Sequence, residues 1–270
     1  MSRITKTFER LRADGRTGLI TYTTVGDPDL PRSADILKAL DRAGADVLEV
    51  GVPFSDPLAD GPVIQRAAER ALAAGGTLRT ALATIERIRP DVTAPIVVFT
   101  YANPIVRFGI DAFAKRAAAC GVDGVLALDL PIEEAAGFRD ALTAVDIDTI
   151  FLLSPTTTDT RIARAAALGR GFLYGISRVG VTGARDRVAA GAEVMVRRIR
   201  RHTTMPIALG FGIPRPEHVA EVGAYADAAV VGSALVSKIA EASAGPDLIA
   251  TVETYVRWLK GASTLNAHAG

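Results

Sequence analysis

The sequence is poor in cysteine, histidine and lysine, and each shortage argues against a kind of chemistry. Its single cysteine, Cys120, excludes an intramolecular disulfide and ends a predicted helix as a small buried residue. The three histidines, His202, His218 and His268, fall outside the predicted strand ends, so a histidine-bound metal is not expected. None of the five lysines falls on a predicted strand, so a Schiff-base mechanism lacks its amine.

Neither the charge nor the hydrophobicity of the chain indicates a nucleic-acid or membrane partner. Its 31 basic and 30 acidic residues give a net charge of +1, which leaves no field to attract nucleic acid. No apolar run reaches the ~18 residues of a transmembrane helix, and the first residues lack the apolar run of a signal peptide. We therefore expect a cytoplasmic chain that binds neither nucleic acid nor a membrane.

Eight short apolar runs alternate with longer segments in which apolar residues recur at helical spacing. The predicted strands cover residues 19–25, 46–50, 96–101, 124–128, 149–153, 172–177, 206–210 and 228–231. Strand–helix units in series imply parallel strands buried on both faces. A doubly wound sheet is the alternative, but eight units close a barrel and no GxGxxG follows the first strand. The fold prediction is an α/β protein, a (β/α)8 TIM barrel forming one domain over residues 1–270, with 263–270 as a frayed tail.

Two segments exceed a minimal barrel. Residues 2–13 form a predicted amphipathic helix that closes the bottom of the barrel. Residues 51–95, between the second and third strands, contain a loop and two predicted helices near 63–73 and 78–88.

Two carboxylates are candidates for acid–base chemistry, because active sites of such barrels lie at the C-terminal ends of the strands. Glu49 stands inside the apolar strand VLEVG, where a carboxylate is costly unless chemistry uses it or a buried hydrogen-bond network satisfies it. Asp60 follows in the loop PFSDPLADGP. Alone it predicts an N-cap for the helix near Pro62, but beside a strand-end glutamate it becomes a second acid–base candidate.

Glycines after the last two predicted strands indicate a phosphate site. Residues 210–213 (GFGI) and 232–234 (GSA) follow strands seven and eight, and the second group leads into a predicted short helix. Glycines permit close backbone approach, and a helix N-terminus offers N–H donors to an anion. The pair favours a phosphorylated small molecule as the ligand. Residues 177–185 (SRVGVTGAR), after strand six, form either a lid over the site or an ordinary mobile connection.

Residues 49–62 (EVGVPFSDPLADGP) strongly resemble the signature stretch of tryptophan synthase α subunits. Residues 26–28 (GDP), 101–104 (YANP) and 177–183 (SRVGVTG) resemble further parts of the pattern, and the two glycine groups complete it. The resemblance runs from about Phe8 to Trp258.

The resemblance implies a lyase of tryptophan biosynthesis that cleaves indole-3-glycerol phosphate by a retro-aldol reaction into indole and glyceraldehyde 3-phosphate. Protonation of C3 makes the indole ring its own electron sink, so neither a lysine nor a metal is required. By resemblance, Glu49 gives that proton and takes one from the glycerol hydroxyl. Asp60 binds the indole N–H and stabilises the positive charge that develops on the ring.

The same resemblance implies a substrate-binding set. Tyr174 lies near the two acids, and Thr182 is the lid threonine that reaches Asp60 on closure. The phosphate cradle and the rest of the set are Gly183, Gly212, Gly232, Ser233 and Phe211. Tyr22 and Phe99 stand where some members of the family have Phe and Leu, and both still offer an apolar wall for indole.

A partner is implied as well. The family works with a β subunit that condenses indole with serine on pyridoxal phosphate, in an α2β2 heterotetramer, while the α chain itself holds no cofactor. The loop holding Asp56 and Pro57 and the segment around Asn103 resemble its β-facing surfaces. Two alternatives stay open: a stand-alone indole-3-glycerol-phosphate lyase, and a catalytically silent regulatory subunit that activates a β partner. A different phosphate-binding barrel would leave residues 49–62 unexplained.

Overall fold

The computed structural model describes residues 1–176, 191–210 and 212–261. The strands in these ranges are β1 (Gly18–Thr24), β2 (Val47–Gly51), β3 (Ile96–Thr100), β4 (Gly124–Ala127), β5 (Asp148–Thr149), β6 (Phe151–Leu153), β7 (Leu173–Ile176), β8 (Ile207–Gly210) and β9 (Ala228–Val231). The helices are α1 (Arg3–Ala13), α2 (Leu30–Arg42), α3 (Pro62–Ala73), α4 (Leu78–Ile88), α5 (Ala102–Phe108), α6 (Ile110–Cys120), α7 (Ala136–Thr143), α8 (Asp159–Leu168), α9 (Ala192–Arg200), α10 (Pro216–Gly223), α11 (Ser233–Ala242) and α12 (Leu248–Gly261).

The strands form one parallel sheet in the order β5-β4-β3-β2-β1-β9-β8-β7-β6. Only Ile150 separates β5 from β6, the two ends of this order, so the sheet curls into a nearly closed barrel. The Ile150 N–H donates to the Val125 carbonyl at 2.9 Å, which ties this junction to β4. The predicted TIM barrel is confirmed, except that the fifth predicted strand is divided into two short ones.

Two layers of apolar side chains hold the barrel, because strand residues point alternately inward and outward. Inward residues such as Ile20, Val47 and Val97 fill the interior. Outward residues such as Leu48 and Val98 pack against the surrounding helices in a second, larger cluster. Strands buried on both faces explain why the sequence shows near-continuous apolar runs.

Helix α1 closes the bottom of the barrel, as predicted. The Ser2 hydroxyl caps the helix by accepting the Thr5 N–H at 3.2 Å. Ile4, Phe8 and Leu11 follow at helical spacing, are buried, and belong to the interior cluster.

The two helices predicted between the second and third strands are also confirmed as α3 and α4. The prediction that Asp60 caps α3 is wrong. Gly61 occupies the N-cap position without any side-chain hydrogen bond, and Pro62 begins the helix. The Asp60 carboxylate instead accepts a hydrogen bond from the Tyr101 hydroxyl. Within the described ranges, no helix combines the length and the apolar character needed to cross a membrane.

Candidate active site

Strand β2 carries Glu49 into the barrel interior. Its neighbours Leu48 and Val50 pack in the outer cluster, so alternation directs Glu49 inward like Val47. The side chain is 0% exposed, and in the described part of the chain neither carboxylate oxygen has a hydrogen-bond partner. This burial raises the pKa of Glu49 to about 8. The interpretation of Glu49 as part of a satisfied buried network therefore finds no support.

Two tyrosine hydroxyls lie near Glu49, each in space left by a glycine. A Cβ on Gly51 would clash with the Tyr22 Oη, and a Cβ on Gly210 would clash with the Tyr174 Oη. Tyr22 is the register partner of Glu49, and its Oη lies 3.3 Å from the Thr24 Oγ1. Burial, reinforced by the nearby carboxylates, raises the pKa of both tyrosines, so both hydroxyls stay neutral.

Asp60 lies at the mouth of the barrel in the loop before α3. The Tyr101 hydroxyl donates to its Oδ2 at 3.0 Å, and the Ala59 N–H donates to the same hydroxyl at 3.1 Å. The Gln65 Nε2 donates to the Asp60 backbone carbonyl at 2.9 Å. Burial raises the pKa of Asp60 to about 6, against the hydrogen bond from Tyr101, which lowers it.

A cavity of about 790 Å³, open solvent at its mouth included, is lined by Tyr22, Asp60 and Tyr174, whereas the fully buried Glu49 is not part of its lining. Its described lining residues are Tyr22, Ala59, Asp60, Ile64, Phe99, Leu128, Leu152, Tyr174, Ile176, Gly212, Ile213, Val230, Gly232, Ser233 and Ala234. The Tyr22 and Phe99 rings meet edge to face at a centroid distance of 5.1 Å and form one apolar wall. Sequence reasoning missed Ile64, Leu128 and Leu152 as wall residues, although alternation along the strands predicts inward positions for the last two.

The part of the cavity lining after β8 and β9 is built largely from backbone. Gly232 is the N-cap of α11 and makes no side-chain cap bond, so the first N–H groups of this helix lack intrahelical acceptors. Gly212 has a φ of 80°, a conformation that favours glycine. The described lining residues include no lysine or arginine, so an anion at this end would be held by N–H groups.

The structure thus brings eight of the eleven predicted site residues to one cavity or directly beside it: Tyr22, Glu49, Asp60, Phe99, Tyr174, Gly212, Gly232 and Ser233. Thr182, Gly183 and Phe211, together with the predicted lid, lie outside the described residues. All five lysines lie in helices, so none is on a strand, as predicted. Tyr101 is an addition that sequence reasoning missed, although a polar aromatic residue directly after β3 is a signal for this face of the barrel.

Comparison with known proteins identifies the family. The family model for the tryptophan synthase alpha chain matches residues 8–263. The chain belongs to the tryptophan synthase alpha chain family. A tryptophan synthase alpha chain from Roseiflexus castenholzii is 48% identical, over 97% of this chain and 100% of the relative. One from Solibacter usitatus is 45% identical, over 96% of this chain and 97% of the relative.

Solved structures agree with this assignment. The tryptophan synthase alpha subunit of Legionella pneumophila has a TM-score of 0.90 and 36% identity, covering 98% of this chain and 99% of that one. A chain in a structure of Mycobacterium tuberculosis tryptophan synthase has a TM-score of 0.90 and 38% identity over the same shares. The family predicted from residues 49–62 is confirmed, and with it the lyase class of the enzyme.

Proposed function

We propose that this chain cleaves indole-3-glycerol phosphate into indole and glyceraldehyde 3-phosphate by retro-aldol chemistry, and that Glu49 and Asp60 carry the reaction. The observation that supports this most strongly is the buried Glu49 carboxyl, which has no hydrogen-bond partner in the described ranges. It interacts with Tyr22 and Tyr174, two wall residues of a mainly apolar cavity that Asp60 also lines. A fold does not retain an unsatisfied buried carboxyl cheaply, so its position favours a catalytic use.

The cavity has one suitable region for each part of this substrate. The walls formed by Tyr22, Phe99 and Leu128 fit the flat apolar indole ring. The N-terminus of α11, with Gly232 and Ser233, and the nearby Gly212 fit the phosphate. Gly183, the fourth residue of the predicted cradle, lies outside the described residues. The glycerol chain then spans the space between them, within reach of the acids.

Glu49 acts in both directions during one turnover. With a pKa of about 8 it is largely protonated at neutral pH and gives its proton to C3 of the indole. The resulting carboxylate takes the proton of the glycerol hydroxyl next to the ring. The carbon–carbon bond then breaks: its electron pair returns to the ring, and the O–H pair forms the aldehyde carbonyl. Glu49 ends protonated, as it began.

Asp60 supplies a negative charge where positive charge develops. With a pKa of about 6 it is mostly ionised at neutral pH, and we assign it to the indole N–H. A fixed carboxylate opposite a developing cation stabilises the transition state more than the ground state. The different environments of the two carboxyl groups give them different pKa values. Glu49 can therefore act as the proton donor while Asp60 is ionised.

The family implies a β subunit as the partner of this chain. We propose that it binds at the mouth, over the loop with Asp56 and Pro57 and over the Asn103 region. Leu58 and Val106 in these two segments are 91% and 63% exposed, which suits an interface. The pyridoxal phosphate would belong to the β subunit, and the proposed steps of this chain use only its own side chains.

One assay tests this function: cleavage of indole-3-glycerol phosphate by the purified chain, alone and with a β subunit. Slow turnover alone that rises strongly with the partner supports the proposal. Fast turnover alone would favour a stand-alone lyase, and no turnover in either condition would favour a regulatory subunit. A rate that declines below about pH 6 and above about pH 8 is expected from the two carboxyls.

A further inference from the structure

Tyr101 links the barrel wall to the loop that carries Asp60. It follows β3 directly, forms the N-cap residue of α5, and is only 5% exposed. The backbone of the following residue is held in place, because the Ala102 N–H donates to the Asp129 carboxylate at 2.6 Å. The loop with Asp60 belongs instead to the long insertion between β2 and β3, so Asp60 lies 41 positions away in sequence.

The Tyr101 side chain contacts that loop at three points. Its hydroxyl donates to the Asp60 Oδ2 at 3.0 Å and accepts the Ala59 N–H at 3.1 Å. Its ring stacks on Phe54, with centroids 5.0 Å apart and planes 28° apart. A hydroxyl held by one donor and one acceptor has a defined direction. In the described ranges, no other side chain makes a hydrogen bond to the Asp60 carboxylate.

We propose that Tyr101 is a positioning residue, which holds the Asp60 carboxylate toward the cavity and is itself clamped by Phe54. This inference rests on the proposed function only for the role of Asp60 in cleavage; the contact itself is independent of it. Loops need such support, because catalytic groups on them are otherwise placed less accurately than groups on strands. Glu49 needs no such support, since β2 fixes it.

The hydroxyl also favours the ionised form of Asp60. A donated hydrogen bond stabilises a carboxylate, whereas burial opposes its ionisation. The titratable groups that interact with Asp60 are Tyr22 on β1, Tyr174 on β7 and Tyr101 itself. Of these, only the Tyr101 hydroxyl bonds to the carboxylate and lowers its pKa. Without it, the pKa of Asp60 rises above about 6.

The variant Tyr101→Phe keeps the ring and its stack on Phe54 but removes the hydroxyl. We expect kcat for indole-3-glycerol phosphate to fall about tenfold while KM changes less than about threefold, since the aligned charge matters most in the transition state. The acid limb of the kcat/KM profile should move upward by about one pH unit. The variant Phe54→Leu should move it less, in the same direction.

Tyr255→Phe is the matched control. The Tyr255 hydroxyl donates to the Pro214 carbonyl at 2.9 Å, so the same atom is lost from a comparable bond. Pro214 follows the lining residue Ile213, but Tyr255 neither lines the cavity nor acts on the pKa of Asp60. Its variant should lose similar thermal stability with an unchanged pH profile. A Tyr101→Phe profile that superimposes on that of Tyr255→Phe would overturn the proposal and leave Tyr101 a structural residue.

A second measurement does not depend on catalysis. Carboxyl carbon NMR of aspartate-labelled protein, with the Asp60 resonance identified from Asp60→Asn, gives the pKa of Asp60 directly. An upward shift in Tyr101→Phe supports the contact even if the wild type cleaves no substrate, an outcome that would reject only the proposed function. An unchanged pKa in the variant would refute the contact, whatever the activity.

Discussion

A carboxyl group buried without a partner, as Glu49 is, makes folding more costly at every pH at which it must ionise. Its pKa is about 8 in the folded chain and near 4.5 in an unfolded one. Between these values the folded state holds the extra proton, so the free energy of unfolding falls as pH rises. Below about 4.5 the penalty is absent, and above about 8 it is complete.

Glu49→Gln should therefore inactivate the enzyme and stabilise the fold. The amide cannot exchange the proton, so we expect cleavage to fall by roughly 10²-fold or more. Thermal unfolding should show a gain over wild type that is small near pH 5 and grows to a few kcal/mol, in order of magnitude, by pH 8. Cleavage within about threefold of wild type would remove Glu49 from the mechanism, and a pH-independent gain would contradict its burial as a lone acid.

Single site residues can be predicted from the sequence when their immediate neighbours in the chain make them stand out. Glu49 was predicted because its charged side chain stands among the apolar residues of the strand VLEVG, a contrast that is visible within five consecutive residues. Considered alone, Asp60 predicts a helix cap, which is wrong; only its place beside a strand-end glutamate made it an acid–base candidate, and Tyr101 received no role. Their hydrogen bond joins residues 41 positions apart, and local propensity carries no information about such a contact.

At the level of the secondary-structure elements, several strands share one type of hydrogen bond at the bottom of the barrel. An aspartate just before a strand accepts the N–H of the first or second residue of a neighbouring strand: Asp46 from Leu19 at 2.9 Å, Asp123 from Ile96 at 2.8 Å, and Asp227 from Ile207 at 2.8 Å. Each also contacts a cation, Lys260, Arg89 and Arg200 respectively. A sequence pattern predicts these strands, but only the folded sheet shows why an aspartate precedes them.

Asp123→Ala should destabilise the barrel without affecting the mouth. The change leaves the Ile96 N–H and the half-buried Arg89 without this acceptor, so we expect a loss of about 2–4 kcal/mol in urea unfolding. Glu86→Ala is the control, since its pair with Arg116 lies on the surface, where solvent screens it, and should contribute little to stability. Equal losses of unfolding free energy in the two variants would show that Asp123 stabilises the barrel no more than a surface ion pair does.

Helix α11 allows a test in which stability and binding move in opposite directions. Ser233→Asp places a negative charge in the first turn, which suits the helix dipole but repels a bound phosphate. We expect an unchanged or higher melting temperature with a KM for indole-3-glycerol phosphate raised at least tenfold. Ser233→Ala, which loses only the hydroxyl, should raise KM far less. A KM for the aspartate variant equal to that of wild type would place the phosphate elsewhere.

For the whole molecule, the arrangement of elements puts the proposed chemistry and the proposed partner surface at one end. The Asp60 loop and α5 meet there through Tyr101, and both present apolar side chains, Leu58 and Val106, to solvent. One exposed apolar side chain alone carries no meaning, but two in adjoining segments beside the mouth of the cavity favour an interface. The sequence predicted this surface through family resemblance; composition gave no sign of it.

The double variant Leu58→Asp, Val106→Asp should weaken the complex with a β subunit at least 100-fold in Kd, because each change places an unpaired charge in an apolar contact. The isolated variant should melt within a few degrees of wild type, since both side chains are exposed in the free chain. Val194→Asp is the control: Val194 is 69% exposed on α9, which joins β7 to β8 across the barrel from β2 and β3. Calorimetric titration of the β subunit into each chain measures the affinity. If the double variant binds as tightly as Val194→Asp, the partner docks elsewhere, and any activation it brings must reach Asp60 by a route other than this loop.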